Sequence, residues 1–237
     1  MKPCLAIPIF EHGSTIADVI EALAPLELPC LIVDDGSSRA TQERLTEIER
    51  QRAWVRVERH DCNQGRGAAL QTAYRLAYKD GFSHVVQLDA DGQHDARDVP
   101  RFLEAAQRDP LALVLGQPVF DQSAPRARLY GRKLSQAIVW LQTLSAAVRD
   151  PLCGFRCVPL QPTVRLLDEV QLGRRMDFDP ELIVRLMRAG VPVVNVPTAV
   201  HYPAGGISHF RMVEDNLRIA WAYARLAADA IRPGTRA

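Results

Sequence analysis

Through its first half the chain alternates short apolar runs with stretches of helical periodicity. CLAIPIF reads as a strand, followed by a helix that opens at Ser14–Thr15 with Asp18 placed to complete a capping box. PCLIVDDGS predicts a second strand that runs out into acids, glycine and serines. TQERLTEIERQ predicts a helix, WVRVERH a strand, and GAALQTAYRLAY a helix with small residues on its inner face. HVVQLDAD, VPRFLEAAQR and LALVLG continue as strand, helix and strand. This order predicts an α/β domain, a mostly parallel sheet flanked by helices. Ligands of such sheets bind beyond the carboxyl ends of the strands. Three acid- or glycine-rich clusters fall there: DDGS, NQGRG and DADGQH.

The second half is less regular. YGRKLSQAIVWLQTLSAAV predicts a helix, CGFRCV a short strand, DPELIVRLMRAG a helix closed by Gly190, and VPVVNVPT a strand. FRMVEDNLRIAWAYARLAADAIR predicts a long final helix. Repeats, low-complexity tracts and linkers are absent, so residues 1–237 read as one domain with a C-terminal helical elaboration. In the final helix Arg211, Arg218, Arg225 and Arg232 recur every seventh residue beside Val213, Leu217, Trp221 and Ile231. Seven-residue spacing drifts only about 20° on a helix, so the arginines form one ridge. A basic ridge beside an apolar stripe suits a helix lying on an anionic bilayer.

A net charge of +1 argues neither for a nucleic-acid coat nor for an acidic tail, and no nucleic-acid partner is expected. The five cysteines contain no CxxC pair, which disfavours zinc and fits a reducing compartment. MKPCLAIPIF lacks the features of a signal peptide, and no apolar run approaches the roughly 18 residues of a membrane span. The expected location is the cytoplasm, with peripheral contact to the inner face of the cell membrane.

Candidate chemistry lies in the loops. In LDADG, Asp89 and Asp91 would project to the same side of an extended strand. At about 6 Å and an effective dielectric near 20 they repel by about 3 kcal/mol. A divalent cation would relieve that repulsion, and oxygen donors suit Mg2+ or Mn2+, which also bind phosphate oxygens. Gln93 adds a neutral oxygen on the same side, and His94 is within reach. A solvated Asp-Gly turn would carry the same letters. In IVDDGSS, Asp34 and Asp35 can accept hydrogen bonds from a base or a ribose, and Gly36 lets the backbone turn sharply. NQGRG offers Asn63, Gly65 and Arg66, which combine backbone freedom with a guanidinium for phosphate. GRGAAL lacks the third glycine of a dinucleotide fingerprint and follows the third strand, which argues against a nicotinamide enzyme.

Taken in order, IPIF, VDDGS, NQGRGAAL, LDADGQH, DPLCGFR and FDPELIVRL resemble the motifs of family 2 glycosyltransferases of the GT-A fold, between Pro3 and Ser208. The likeness is greatest to the dolichyl-phosphate mannose synthase and polyprenyl-phosphate glycosyltransferase branch. The resemblance implies a Rossmann-like nucleotide-sugar domain and inverting transfer of a sugar from a UDP- or GDP-linked donor. Residues 1–116 would form the nucleotide-sugar half, 117–210 the acceptor side and 211–237 an amphipathic helix. It places Pro8, Phe10 and Asp35 around the nucleotide, with Asp34, Asn63, Gly65, Arg66 and Ala90 completing that set. Asp89, Asp91 and Gln93 would hold Mg2+ or Mn2+ on the donor diphosphate. Asp150 matches an acidic position near the acceptor, there to orient it or to act as general base on a hydroxyl; Glu181 and Asp179 are rivals for that role. A phosphate acceptor, with a second pKa of about 6, needs no base. Arg132 matches a basic residue near the acceptor phosphate and, with Lys133 and Arg156, forms the candidate acceptor-binding set, close to Arg126 and Arg128.

The sequence departs from the family pattern in three places. PIFEH puts His12 where a glutamate is usual, GQP puts Pro118 where an arginine is usual, and HYPAGGISH offers His201 and His209 in a loop that usually carries arginine. The acceptor is therefore read as a polyprenyl phosphate or another amphipathic hydroxyl or phosphate compound. Two other readings compete. A sugar nucleotidyltransferase would need a glycine- and arginine-rich loop that IPIFEHGST lacks. A catalytically inactive nucleotide-sugar-binding partner is opposed by Asp89, Asp91 and Asp150.

Overall fold

A computed structural model describes residues 1–120, 126–200 and 211–231 of the chain. Strands β1 (Pro3–Ile9), β2 (Cys30–Asp34), β3 (Val55–Arg59), β4 (His84–Gln87), β5 (Leu113–Phe120), β6 (Arg156–Pro159) and β7 (Val193–Val200) form one sheet, in the order β3-β2-β1-β4-β6-β5-β7. Every pairing is parallel except those of β6, which runs antiparallel between β4 and β5. The alternation of the sequence predicts the parallel core. It carries no mark of the reversal, because a four-residue buried strand reads the same in either direction.

The helices are α1 (Ile16–Leu23), α2 (Arg39–Gln51), α3 (Arg66–Lys79), α4 (Val99–Arg108), α5 (Arg126–Thr143), α6 (Leu160–Glu169), α7 (Phe178–Arg188) and α8 (Met212–Ile231). Alternation along the strands sorts them into two layers. Leu5, Ile7 and Ile9 of β1 pack with Ile16, Ile20, Leu45 and Phe102 of α1, α2 and α4. Cys4 and Ala6 face the other way, onto a cluster with Ala69, Ala73, Leu182 and Ile219 of α3, α7 and α8. Full burial of each Leu or Ile is worth about 1.5–3 kcal/mol, so β1 is held from both sides. Both faces of the parallel strands are covered, which explains their unbroken apolar runs.

The structure corrects several boundaries. The capping box at α1 does not form: no side chain caps the helix, and Thr15 Oγ1 donates to Ala90 O at 2.7 Å instead. β5 continues through Pro118 to Phe120, pairing with β7 along its whole length. β6 flanks only Val114 and Leu115, so Pro118 sits where no strand needs its missing N–H on that side. α5 ends at Thr143, and Leu144 turns the chain at φ +50°. α6 was not anticipated; Leu160, Val164 and Leu167 are buried at helical spacing, and Pro162 falls in the first turn, where it is tolerated. α8 is no appendage, because Ile219, Tyr223 and Leu226 belong to the core. Among the described residues no helix is long and apolar enough to cross a membrane.

Candidate active site

The carboxyl ends of β1, β2 and β4 open onto a cavity of about 610 Å³, within the usual span of small-ligand sites, about 300–1,000 Å³. Pro8 and Phe10 line it from the end of β1, Asp35 from the end of β2, and Asn63, Gly65 and Arg66 from the start of α3. Gly36 (φ +74°) and Gly65 (φ +107°) hold conformations that favour glycine. A Cβ on Gly65 would also lie 2.4 Å from the Arg174 carbonyl. Asp35 accepts from Gln64 N at 2.9 Å, Gly65 N at 2.7 Å and His60 Nδ1 at 2.8 Å, so it pins the loop before α3 to the cavity wall.

Asp89, Ala90, Asp91 and Gln93 line the cavity from the loop after β4. The pleat does not align the two aspartates, because β4 ends at Gln87. They meet the cavity through a turn in which Gly92 has φ +72° and Asp91 Oδ1 accepts from Gln93 N at 3.0 Å. Arg66 donates to Asp89 Oδ1 through Nε at 2.9 Å and Nη2 at 2.6 Å, and through Nη1 to Asp179 Oδ2. Arg156 Nη1 reaches the other Asp179 oxygen at 2.9 Å. Burial pushes the Asp89 carboxyl up, but Arg66 and His94 outweigh it and hold the group well below the usual range. Burial, and then the Asp89 charge, push the Asp91 carboxyl above the usual range. Part of the offset that the sequence assigns to a cation is thus supplied by Arg66, and Asp91 carries the remaining repulsion. His94 stands behind Asp89, its Nε2 3.7 Å from Oδ2 and its ring against Phe155.

Residues 4–157, more than half of the chain, match the family described as Glycosyl transferase family 2. The chain belongs to this family. The glycosyltransferase is 28% identical over 215 residues to the UDP-N-acetylglucosamine–dolichyl-phosphate N-acetylglucosaminyltransferase of Methanococcus voltae, covering 84% of this chain and 85% of that one. It is 25% identical over 207 residues to the undecaprenyl-phosphate mannosyltransferase of Micrococcus luteus, covering 83% and 82%. These names support the polyprenyl-phosphate branch read from the motifs. A solved glucosyl-3-phosphoglycerate synthase from Mycobacterium tuberculosis, in complex with Mn2+ and UDP-glucose, superposes with a TM-score of 0.67 at 18% identity, over 96% of this chain and 77% of that one. The fold is GT-A.

Within this glycosyltransferase the structure separates the candidates. Arg132 and Asp179 line the cavity. Asp150 does not: its Oδ2 accepts from Arg132 Nη1 at 2.7 Å and its Oδ1 from Leu152 N at 2.8 Å, so it touches the cavity only through Arg132. Glu181 is fully buried away from the cavity, between Arg185, Arg225 and Gly173 N, and leaves the catalytic set. Arg156 is likewise fully buried, donating to Cys153 O, Pro151 O and Asp179, and cannot touch an acceptor. Lys133 is exposed outside the cavity. Asp34 is buried below it, with Oδ1 accepting from Ser37 N at 3.0 Å. His12 lines the cavity, while its neighbour Glu11 turns away at φ +56° to accept from Ser38 N at 2.7 Å ahead of α2.

The sequence reading missed Arg175 and Met176, ahead of α7, and the residues that α8 contributes to the cavity. Arg211, Asp215, Asn216, Arg218 and Ile219 line the cavity, and Arg225 pairs with Glu181. Within the ridge inferred from seven-residue spacing, Arg218 reaches the cavity and Arg225 a buried carboxylate, while Val213, Leu217 and Trp221 are exposed. His201, His209, Arg232 and the side chains of Arg126, Arg128 and Ile231 lie outside the described residues.

Proposed function

We propose that this glycosyltransferase moves a sugar from a UDP- or GDP-linked donor to a lipid-like acceptor at the inner membrane face, with inversion and with Mg2+ or Mn2+ on the donor diphosphate. One observation carries the reading: a single cavity joins Phe10 and Asp35 to a carboxylate turn whose charge the chain only partly offsets. Asp91, Asp89 and the Gln93 amide would hold the ion, a hard-oxygen set suited to either metal. Among the described residues no trio of His, Cys, Asp or Glu forms a metal cage. That fits an ion whose remaining ligands come from the diphosphate and water. When bound, the ion supplies Lewis-acid stabilisation of the leaving group.

The chain's own residues do the rest. Arg66 keeps Asp89 ionised and oriented, and Phe10 and Asp35 orient the nucleoside. The anomeric C–O bond to the diphosphate breaks, the nucleoside diphosphate leaves with the electron pair, and the acceptor oxygen bonds to the anomeric carbon. Single displacement with inversion is the course that the motif resemblance implies for this family branch. A lipid-like acceptor is supported by the names of the relatives and by exposed Tyr130 and Leu134 of α5 and Val213, Leu217 and Trp221 of α8, the two helices that contribute Arg132 and Arg218 to the cavity.

A thermal-shift panel of UDP, GDP and their sugars, with and without Mn2+, tests this function. Ligand at 100 times Kd adds about 2.7 kcal/mol, or about 5–10 °C for a domain of this size. Stabilisation by one nucleotide diphosphate that requires Mn2+ and is lost in Asp91→Asn is expected. Metal-independent binding would defeat the assigned site.

A further inference from the structure

Asp35, at the exit of β2, is buried and still lines the cavity. A carboxylate has about four lone-pair sites, two on each oxygen. The chain fills all but one of them. Oδ1 accepts from His60 Nδ1 at 2.8 Å and from Gln64 N at 2.9 Å, and Oδ2 accepts from Gly65 N at 2.7 Å. Among the described residues no other donor reaches this carboxylate, so the site left over is on Oδ2.

The Gln64 and Gly65 donors are backbone amides of the loop before α3, which any sequence of the same shape would supply. The His60 donor is a choice of side chain. His60 follows β3, and its Nε2 lies 2.9 Å from Thr72 Oγ1 of α3, so the ring is held at both nitrogens. The side chains of His60 and Asp35 are both shielded from water. A carboxylate only accepts, so Nδ1 carries the hydrogen in this pair. His60 therefore uses up acceptor capacity on the cavity side of the sheet, and its neighbours hold it there.

We infer that Asp35 reads a base with a single imide N–H, so that the donor is a uracil nucleotide, and that His60 is a positioning residue that sets this choice by filling the second site of Oδ1. The inference rests on the donor reading above and names the base of that donor. Uracil offers one N–H, at N3, between two carbonyls that only accept. Guanine offers N1–H beside the N2 amine, two adjacent donors that call for both oxygens of a carboxylate. Oδ1 has no site left for the second. A bound guanine would leave a donor unpaired in a shielded place, which weakens binding roughly tenfold or more. A ribose diol likewise brings two donors, and cytosine has no hydrogen at N3. Thymine shares the imide edge of uracil.

Calorimetric titration of the full chain with Mn2+ and UDP, N3-methyl-UDP, CDP, GDP or dTDP tests this. UDP should bind roughly tenfold or more tighter than GDP, CDP and N3-methyl-UDP. A dTDP affinity equal to that of UDP supports the imide and extends the donor to thymine nucleotides; a weaker one confines it to uracil. In His60→Leu the freed site on Oδ1 should narrow the UDP-to-GDP ratio by about threefold or more. His60→Asn, whose amide nitrogen can stand at the place of Nδ1, should restore the ratio. GDP bound as tightly as UDP, or no loss on N3 methylation, would overturn the base assignment and leave the donor reading standing. An unchanged ratio in His60→Leu would remove His60 from the selection. Binding of none of the five would sink the donor reading and the base assignment together. The comparisons on the unaltered chain hold whether or not His60→Leu folds.

Discussion

Arg66 grips Asp89 through two nitrogens, at 2.9 and 2.6 Å from the same oxygen. Its remaining nitrogen bonds Asp179, so one side chain from the start of α3 joins the turn after β4 to the start of α7. Both partners are largely shielded from water. Removing one member of such a pair typically costs about 3–5 kcal/mol. Arg66→Met should therefore lower the melting temperature by roughly 6–20 °C. Calorimetry without metal or nucleotide checks this, and a loss under about 1 kcal/mol would show that the pair adds little.

Gly154 lies against the same pair. A Cβ there would stand 2.0 Å from Asp89 Oδ2 and 2.9 Å from Arg66 Nη2. Gly154→Ala should displace Asp89 and raise the Kd for nucleotide diphosphate with Mn2+ at least tenfold. The stability cost should stay within about 1–3 kcal/mol. Titration and denaturation of one sample separate the two effects.

How far the sequence foretold this arrangement depends on the kind of interaction. Strand alternation in CLAIPIF and CLIVD is local, so the layers and the carboxyl-edge cavity could be read before any coordinates. Asp35 and the aspartates after β4 were placed at one edge for that reason, and Phe10 only by the motif resemblance. Glu181 and Arg156 were misread because a buried ion pair looks, in one dimension, like a catalytic carboxylate or a substrate arginine. What distinguishes them is a partner far along the chain: Arg225 for Glu181 and Asp179 for Arg156. The inward turn of Arg218 was hidden similarly. Seven-residue spacing reveals a ridge, and only packing against α5 and α7 decides what the ridge faces.

Glu181 anchors α8. One oxygen accepts from Arg185 Nε at 3.0 Å, and the other from Gly173 N at 2.9 Å and from Arg225. Glu181→Gln leaves two guanidiniums underpaired at a fully buried position and should cost about 3 kcal/mol. Because Glu181 does not line the cavity, the Mn2+-dependent nucleotide shift should survive, in contrast to Asp91→Asn.

All five cysteines are free thiols, with Cys62 exposed and the other four buried. Burial pushes Cys4, Cys153 and Cys157 up to about 12, and Cys30 further, so these thiols stay protonated and shielded. Ellman's reagent should titrate one thiol in the native chain and five after unfolding. A second fast thiol would mean that the sheet opens readily.

His84 is mostly buried, with Nε2 3.0 Å from the Pro110 carbonyl, and burial lowers its pKa below 6.5. The unfolded chain then binds more protons just below pH 6.5, so this group's contribution is complete above that value and is lost on acidification. His84→Gln should flatten that part of the pH–stability profile.

The reversal of β6 has a consequence for how such a protein can diversify. The segment that leads into β6 reaches the substrate edge by its entrance, whereas its neighbours arrive by their exits. Everything between β5 and β6 is thereby a closed excursion from the sheet. On the proposed function, exchanging that excursion would change the acceptor while β1, β2 and β4, on the other side of β6, keep their register.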